Sequence, residues 1–369
     1  MVDNSNFFEE CTDASRVKQF ILEKYFLAWA SIIVRYLKYN KQPCRVGYID
    51  LFSGPGRYED GTESTPIMIT KKILENPLLY NNVILYFNDK NAHYVSQLQS
   101  NIDQLPGIEQ LHYKPIFENY NVDHEIVEMF NKLTLPPSLV FIDPCGYEGF
   151  SMDLVFSVSK DFGCDCIAFL NYNRINMHIS NNAIPREKLN NVLSCDTEAL
   201  KSEISRMTPV NRERRIITHI KELARNINMF SLTFKFKSRV NRTSHFLLFF
   251  TKHFTGYDVM KDVMYRASSI DDYGVADFQF EYGMTGDQLE IVFDSLSSLS
   301  ELRTALLSDY VGKTIGFDEL YKKHSVDKRY VMRNYKTVLR KMLADGEIHT
   351  NRKPKSGFPE DLIITFPEG

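Results

Sequence analysis

The sequence contains no C-x-x-C pair. Its six cysteines, Cys11, Cys44, Cys145, Cys164, Cys166 and Cys195, are scattered over 369 residues, and only Asp165 separates the closest two. Residues two apart in a strand share a face, but that spacing does not suit a tetrahedral zinc site. The thiols therefore read as free side chains in a reducing compartment. No apolar run is long enough to cross a bilayer. The best candidate, "FILEKYFLAWASIIVRYL", is interrupted by Glu23, Lys24 and Arg35. The opening "MVDNSNFFEECTD" is acidic and lacks the shape of a secretory signal. The expectation is a cytoplasmic protein with no membrane partner. An excess of one charge is missing too: 44 basic against 47 acidic residues leave a net charge of -3. The chain as a whole has no pull toward nucleic acid, so any such contact must come from a local basic patch. Internal repeats and long low-complexity stretches are also absent.

What is present is an alternation. Thr12 or Asp13 caps a helix running to about Leu37, with Phe20, Ile21, Tyr25, Ala28, Trp29, Ile32 and Ile33 at helical spacing on one face. Strands are predicted over 46–51, at "NVILYFN", at "IEQLHYKPIF", at "SLVFID" and at "CDCIAFLNY". Helices separate them, over about 66–75, 92–102, 123–133 and 152–159. Pro115 interrupts the third of these strands. Strands that alternate with helices and are apolar almost throughout form a doubly wound, mostly parallel α/β sheet, buried on both faces. A helix over 211–226, a closing edge pair "FSLTFKFKS" and "SHFLLFFTKH", and a helix over 256–266 complete it. The polar stretch 173–210 reads as a lid or substrate-binding insertion. The last 74 residues change character: helix, helix, longer helix, then a two-stranded wing with Gly357 at its tip, a winged helix-turn-helix. The expected domains are a helical extension over 1–44, a Rossmann-like domain over 45–295 and the winged domain over 296–369.

Ligands of such sheets bind beyond the carboxyl ends of the strands, where strand order reverses. The residues at those ends are chemically pointed. Asp50, Phe52, Gly54, Pro55 and Gly56 follow the first strand, and glycines there let a ligand approach the backbone closely. Asp89 follows the second and can accept both ribose hydroxyls of an adenosine. Glu118 and Asn119 follow the third and can reach an adenine edge. Asp143 ends the fourth, inside "DPCGYEG", and faces the reacting end of a cofactor, with Tyr147 or Asn171 nearby to orient or deprotonate an acceptor. "GPGRY" lacks the G-x-G-x-x-G pattern of dinucleotide sites. S-adenosylmethionine suits the site better than a nicotinamide cofactor: it has no pyrophosphate to cradle, and its sulfonium tolerates nearby carboxylates. No metal site is expected, although Asp50, Asp89 and Asp143 leave a metal-dependent nuclease as a weaker alternative.

These segments also carry a resemblance. "TDASRVKQFILEKYFLAWASII", "YIDLFSGPGRYEDGTESTPIMI" and "LVFIDPCGYEGF" resemble the three-Cys-motif partner family. That family has a K-x-x-I-L-x-x-Y-x-x-A-W helix, a Y-I-D-x-F-A-G-P-G turn and a D-P-F-G-like strand end. The match covers most of residues 12–150 and implies a class I methyltransferase-like sheet. It also implies a second reading, a non-catalytic nucleotide-sensing or docking partner in a multi-protein phage-defence or mobile-element system, beside a partner protein encoded nearby. Ser53, Glu63–Pro66 and Cys145 depart from the family pattern. "DPCGY" departs from the D-P-P-Y of amino-methyltransferases, which puts a flipped-base N-methylation in doubt.

In the winged module Arg329, Arg333, Lys336 and Arg340 recur at three- and four-residue steps. Arg352 and Lys353 add charge in the wing. A basic stripe on the third helix of such a module can meet phosphates while the helix enters the major groove. The sequence thus predicts a methyltransferase-like protein acting on or with nucleic acid.

Overall fold

The structure is a computed structural model. It describes residues 13–58, 60–144, 149–181, 190, 192–194, 197–204, 206–238, 241–268, 275–280, 296–352, 354, 358–359 and 361–368. Contacts divide the chain into two units, Met1–Met260 and Lys261–Gly369. The division falls inside one helix, whereas the sequence divides at 295/296.

In the first unit seven strands form one sheet: β1 (Val46–Asp50), β2 (Val83–Asn88), β3 (Ile116–Glu118), β4 (Ser138–Ile142), β5 (Asp165–Leu170), β6 (Phe230–Lys237) and β7 (Thr243–Thr251). Their order is β3-β2-β1-β4-β5-β7-β6. β1 to β5 pair in parallel, and β7 lies antiparallel between β5 and β6. This is the doubly wound sheet expected from the alternation, and its order is of the methyltransferase type that the resemblance implies. Every residue of β1, β4 and β5 is buried, as strands covered on both faces must be. Strand order reverses between β1 and β4, so the crevice of the switch point opens above Asp50 and Asp143.

The third strand is shorter than expected. Ile108–Gln110 forms a 3₁₀ turn, and only Ile116–Glu118 pairs, against Tyr86 to Asn88. Pro115 has no N–H to give a ladder, so pairing begins after it. β5 stops at Leu170, because Asn171 caps the next helix: its Oδ1 accepts the Arg174 N–H at 3.1 Å.

The helices are α1 (Asp13–Tyr39), α2 (Thr65–Leu74), α3 (Pro77–Tyr80), α4 (Ala92–Asp103), α5 (His124–Lys132), α6 (Met152–Val158), α7 (Tyr172–Asn181), α8 (Thr197–Ile204), α9 (Pro209–Asn226) and α10 (Phe254–Ala267). α5 to α9 cover one face, packing Ile126, Leu154, Ile175, Leu200 and Ile220 against Ile49, Val140 and Ala168. In the stretch read as a lid, most of the described residues are helical, and Ile175, Leu193 and Ile204 are fully buried.

α1 lies on the other face. Phe26 meets Tyr48 edge-on at 5.3 Å, and Tyr25 meets Phe249 at 4.8 Å. Ile32 was expected on its buried face but is 39% exposed. The buried stripe runs instead through Lys18, Ile21, Leu22, Tyr25, Phe26, Trp29 and Ala30. Polar bonds fix this helix in register. The Tyr25 hydroxyl donates to Asp165 Oδ2 at 2.5 Å, and Trp29 Nε1 donates to the Gly163 carbonyl at 3.3 Å.

The second unit contains β8 (Gln279–Phe280), α11 (Leu296–Tyr310), β9 (Thr314–Gly316), α12 (Phe317–His324), α13 (Met332–Ala344), β10 (His349–Thr350) and β11 (Ile363–Thr365). β10, β11 and β9 form a small antiparallel sheet. β9 is an element the sequence reading did not contain, and Gly357 lies outside the described residues.

Asp165 is 3% exposed, and burial pushes its pKa up to about 6, against hydrogen bonds from Thr251 and Tyr25. Tyr25→Phe removes one of those donors and leaves the carboxyl underbonded. The expected cost is about 1.5–3 kcal/mol of unfolding free energy. An unchanged midpoint in urea would show that Thr251 alone satisfies Asp165.

Candidate functional site

The first strand ends in a turn held by a carboxylate from the second. Gly54 has φ +62°, and its N–H donates to Asp89 Oδ2 at 3.0 Å. The other Asp89 oxygen accepts the Asn91 N–H at 2.8 Å, and the Asp89 carbonyl accepts Asn119 Nδ2 at 2.7 Å. An ionised carboxylate has about four acceptor sites, so both oxygens keep capacity for a ligand. Asn88, 1% exposed, ties the neighbouring loops together. Its Nδ2 donates to the Leu51 carbonyl at 3.1 Å and to the Tyr120 carbonyl at 3.0 Å, and its Oδ1 accepts the Tyr120 N–H at 2.8 Å. Asn101 Nδ2 donates to the Pro55 carbonyl at 3.0 Å, and the Gly56 carbonyl accepts the Ser64 N–H at 2.8 Å. Asp50, Phe52, Gly54, Pro55, Gly56, Asp89, Glu118 and Asn119 thus gather around adjoining strand ends.

Beside this junction lies a cavity of about 660 Å³. Phe52, Tyr120, Val122, Phe150 and Leu154 give it apolar walls, and Lys90, Asp123 and Asp153 lie at polar positions of its lining. Gly149 (φ +93°) closes against the ring of Phe52, where an added Cβ would collide with Cζ. The sequence singled out Phe52 but not the rest of this wall, which comes from the loop before α5, from Phe150 at the end of "LVFIDPCGYEGF" and from Leu154 on α6.

The second part of the site is a buried charged cluster. Lys18, 8% exposed, reaches from α1 to bond Asp143 Oδ2 at the end of β4, and its ammonium lies 4.9 Å from the centre of the Phe169 ring. Burial pulls the Lys18 pKa down, but Asp143, Tyr58 and Asp50 outweigh it, and the net direction is up. Asp50 is 1% exposed and accepts the Phe52 N–H at 3.1 Å. Burial pushes its pKa up to about 8. The Phe52 N–H and Lys18 oppose the shift, and Asp143 and Asp89 add to it. His245 on β7 is pulled down to about 4 by burial, with Lys18 and Arg174 adding and Asp143 opposing. Near neutral pH the cluster is therefore an ion pair beside a protonated carboxyl and a neutral imidazole.

Lys18 and His245 were missed in the sequence. A signal for Lys18 existed: it shares the three- and four-residue spacing of Ile21, Leu22, Tyr25 and Trp29, so a lysine stands on the apolar face. Asn171 sits at the end of β5, with its side-chain oxygen engaged as a helix cap. Tyr147 and Cys145 lie outside the described residues. Asp50, Asp89 and Asp143 have different hydrogen-bond partners, and no metal-binding group of His, Cys, Asp or Glu occurs among the described residues.

Residues 281–355 match the GMT-like wHTH domain family. The match agrees with the winged arrangement of α11, α12, α13 and the small sheet. Within it the basic side chains are mostly engaged. Arg329 pairs with Glu301 at 3.5 Å and Arg352 with Asp361 at 2.5 Å. Arg333, at the start of α13, pairs with Asp262 at 3.0 Å and stacks over Tyr265 at 4.3 Å. Lys336 lies over Phe317 at 5.8 Å, Arg340 is exposed, and Lys353 lies outside the described residues. Arg329 precedes α13, so the stripe is shorter on the helix than its spacing implied.

No curated protein matches the chain. Similar solved structures include protein LPL1258 of Legionella pneumophila, 14% identical over 65% of this chain and 85% of that one, with TM-score 0.33. The O-methyltransferase TomG of Streptomyces achromogenes in complex with S-adenosylmethionine is 10% identical over 63% and 96%, with TM-score 0.32. Magnesium protoporphyrin IX methyltransferase of Synechocystis with bound S-adenosylhomocysteine is 11% identical over 62% and 84%, with TM-score 0.29. The methyltransferase-type fold rests on the chain's own strand order.

The Asp50 shift has a direction that stability measurements read. An aspartate in the unfolded chain loses its proton near pH 3.9, whereas the folded one holds it to about 8. Between those values the folded state binds more protons, so stability falls as pH rises and levels off above about 8. Asp50→Asn removes this dependence. Its stability relative to wild type is expected to rise across pH 5 to 8, by up to about 1.4 kcal/mol per pH unit, in urea titrations. A constant difference would reject the buried protonated carboxyl.

Proposed function

We propose that the first unit is an S-adenosylmethionine-dependent methyltransferase and that nucleic acid, held by the winged unit, carries its acceptor. The observation that carries the cofactor half is the Gly54–Asp89 junction beside an apolar-walled cavity. Asp89 would take the ribose hydroxyls on its remaining lone pairs. Gly54 and Gly56 would allow close approach of the backbone. Phe52, Val122 and Phe150 would cover the face of the adenine, with Glu118 and Asn119 at its edge. The donor set fits the group: acceptors for hydroxyls and apolar walls for a planar base. When bound, the cofactor supplies an electrophilic methyl group.

Asp143 and Asn171, at the ends of β4 and β5, would orient the acceptor or take its proton, a role the sequence also gives Tyr147, and His245 stands neutral at the same end of the sheet. General-base help of that kind is worth roughly 10²–10⁴-fold.

The winged unit supports the nucleic-acid half through the chemistry of its ion pairs. Arg329, Arg333 and Arg352 are held by exposed or half-exposed carboxylates. Such pairs are worth about 0–1 kcal/mol each, so phosphates can displace them. The same pairs favour a second reading, a face that docks a partner protein.

Methyl transfer from labelled cofactor to duplex DNA and to RNA, with gel shifts on the same substrates, tests both halves. Arg333→Glu with Arg340→Glu is expected to weaken nucleic-acid binding at least tenfold and to make the salt dependence shallower by about two charges. Cofactor affinity should stay unchanged. Equal gel-shift affinities would move the winged unit to protein docking.

A further inference from the structure

We infer that Lys18 is a built-in counter-cation that makes the strand-end site prefer a neutral thioether nucleoside to a sulfonium one. The inference rests on the cofactor reading above and deepens it.

A soft organic cation is recognised by two kinds of group, a carboxylate and the face of an aromatic ring. The β4–β5 end of the sheet offers both, in Asp143 and Phe169. Both are already engaged by the ammonium of Lys18, which bonds Asp143 Oδ2 and stands 4.9 Å from the Phe169 ring centre. The pair is sheltered: the Lys18 side chain is 10% exposed and that of Asp143 15%. In such surroundings a unit charge acts with far less screening than in water.

Lys18 does not arrive by chance of a mobile surface chain. It lies on the buried stripe of α1, and the helix is anchored further along by Tyr25 on Asp165 and Trp29 on Gly163. The ammonium is therefore delivered in register. A cation brought to Asp143 meets a carboxylate already neutralised and a like charge beside it. A neutral thioether meets neither penalty. Lys18 would thereby leave Asp143 to the acceptor instead of letting it anchor the sulfonium, an interaction that stabilises the ground state without helping the reaction.

The test is titration calorimetry of S-adenosylmethionine and S-adenosylhomocysteine with wild type, Lys18→Met and Lys18→Arg, each checked for folding by circular dichroism. Wild type is expected to bind the homocysteine form about tenfold tighter or more, one like-charge contact being enough for that ratio. Lys18→Arg should keep the ratio, and Lys18→Met should bring it to one or invert it. If Lys18→Met does not fold, Lys18→Met with Asp143→Asn removes both charges of the pair and should also lose the preference. A ratio unchanged in the folded lysine-free variant would overturn the inference while leaving the cofactor reading intact. Failure of wild type to bind either nucleoside would overturn the cofactor reading, and the inference with it.

Discussion

The rest of the first unit depends on the pairing of Lys18 with Asp143, because it joins an element outside the sheet to the switch point within it. Removing one partner of such a buried pair costs about 3–5 kcal/mol, since a charge is left without compensation in a poorly solvated place. The pair therefore specifies where α1 must lie. Tyr25 and Trp29, two and three turns further along the same stripe, repeat the logic on Asp165 and Gly163. The helix is thus part of the site's construction: its first turns supply a charge and its later turns hold that charge in register.

The consequences spread to neighbouring groups. Asp50 sits beside this pair and below the Gly54 turn, and burial keeps it protonated to about pH 8. His245 is kept neutral by burial, with the Lys18 charge adding to the effect. Four titratable groups from α1, β1, β4 and β7 therefore share one electrostatic environment. On the β2 side, Asn88 and Asp89 fix the loops by neutral and charge-assisted hydrogen bonds. The two halves differ in kind: one presents acceptors and apolar walls, the other a balance of buried charges.

Much of this was legible in the sequence where the signal is local. Apolar runs ending near Asp50, Asp89 and Asp143 marked the strands, and the Gly-Pro-Gly stretch marked the turn after β1 that Asp89 holds. The failures are of two sorts. Pro115 sits inside an apolar run that propensity extends and the hydrogen-bond ladder does not. Lys18, by contrast, was readable as an anomaly of its helix, yet its meaning depends on Asp143, 125 positions away. The winged unit repeats the lesson: the spacing of Arg333 suggests an open phosphate contact, but Asp262, 71 positions earlier, and Tyr265 hold it. Periodicity gives faces, and long-range partners decide what the charges on them do.

The central claim is that the strand ends around Gly54 and Asp89 hold an adenosine. The most direct measurement is calorimetric titration of S-adenosylhomocysteine into wild type and Asp89→Ala, with melting curves to confirm that both are folded. The account predicts micromolar binding by wild type and its loss in the variant. No heat at millimolar ligand, or equal affinity in the two folded proteins, would contradict it.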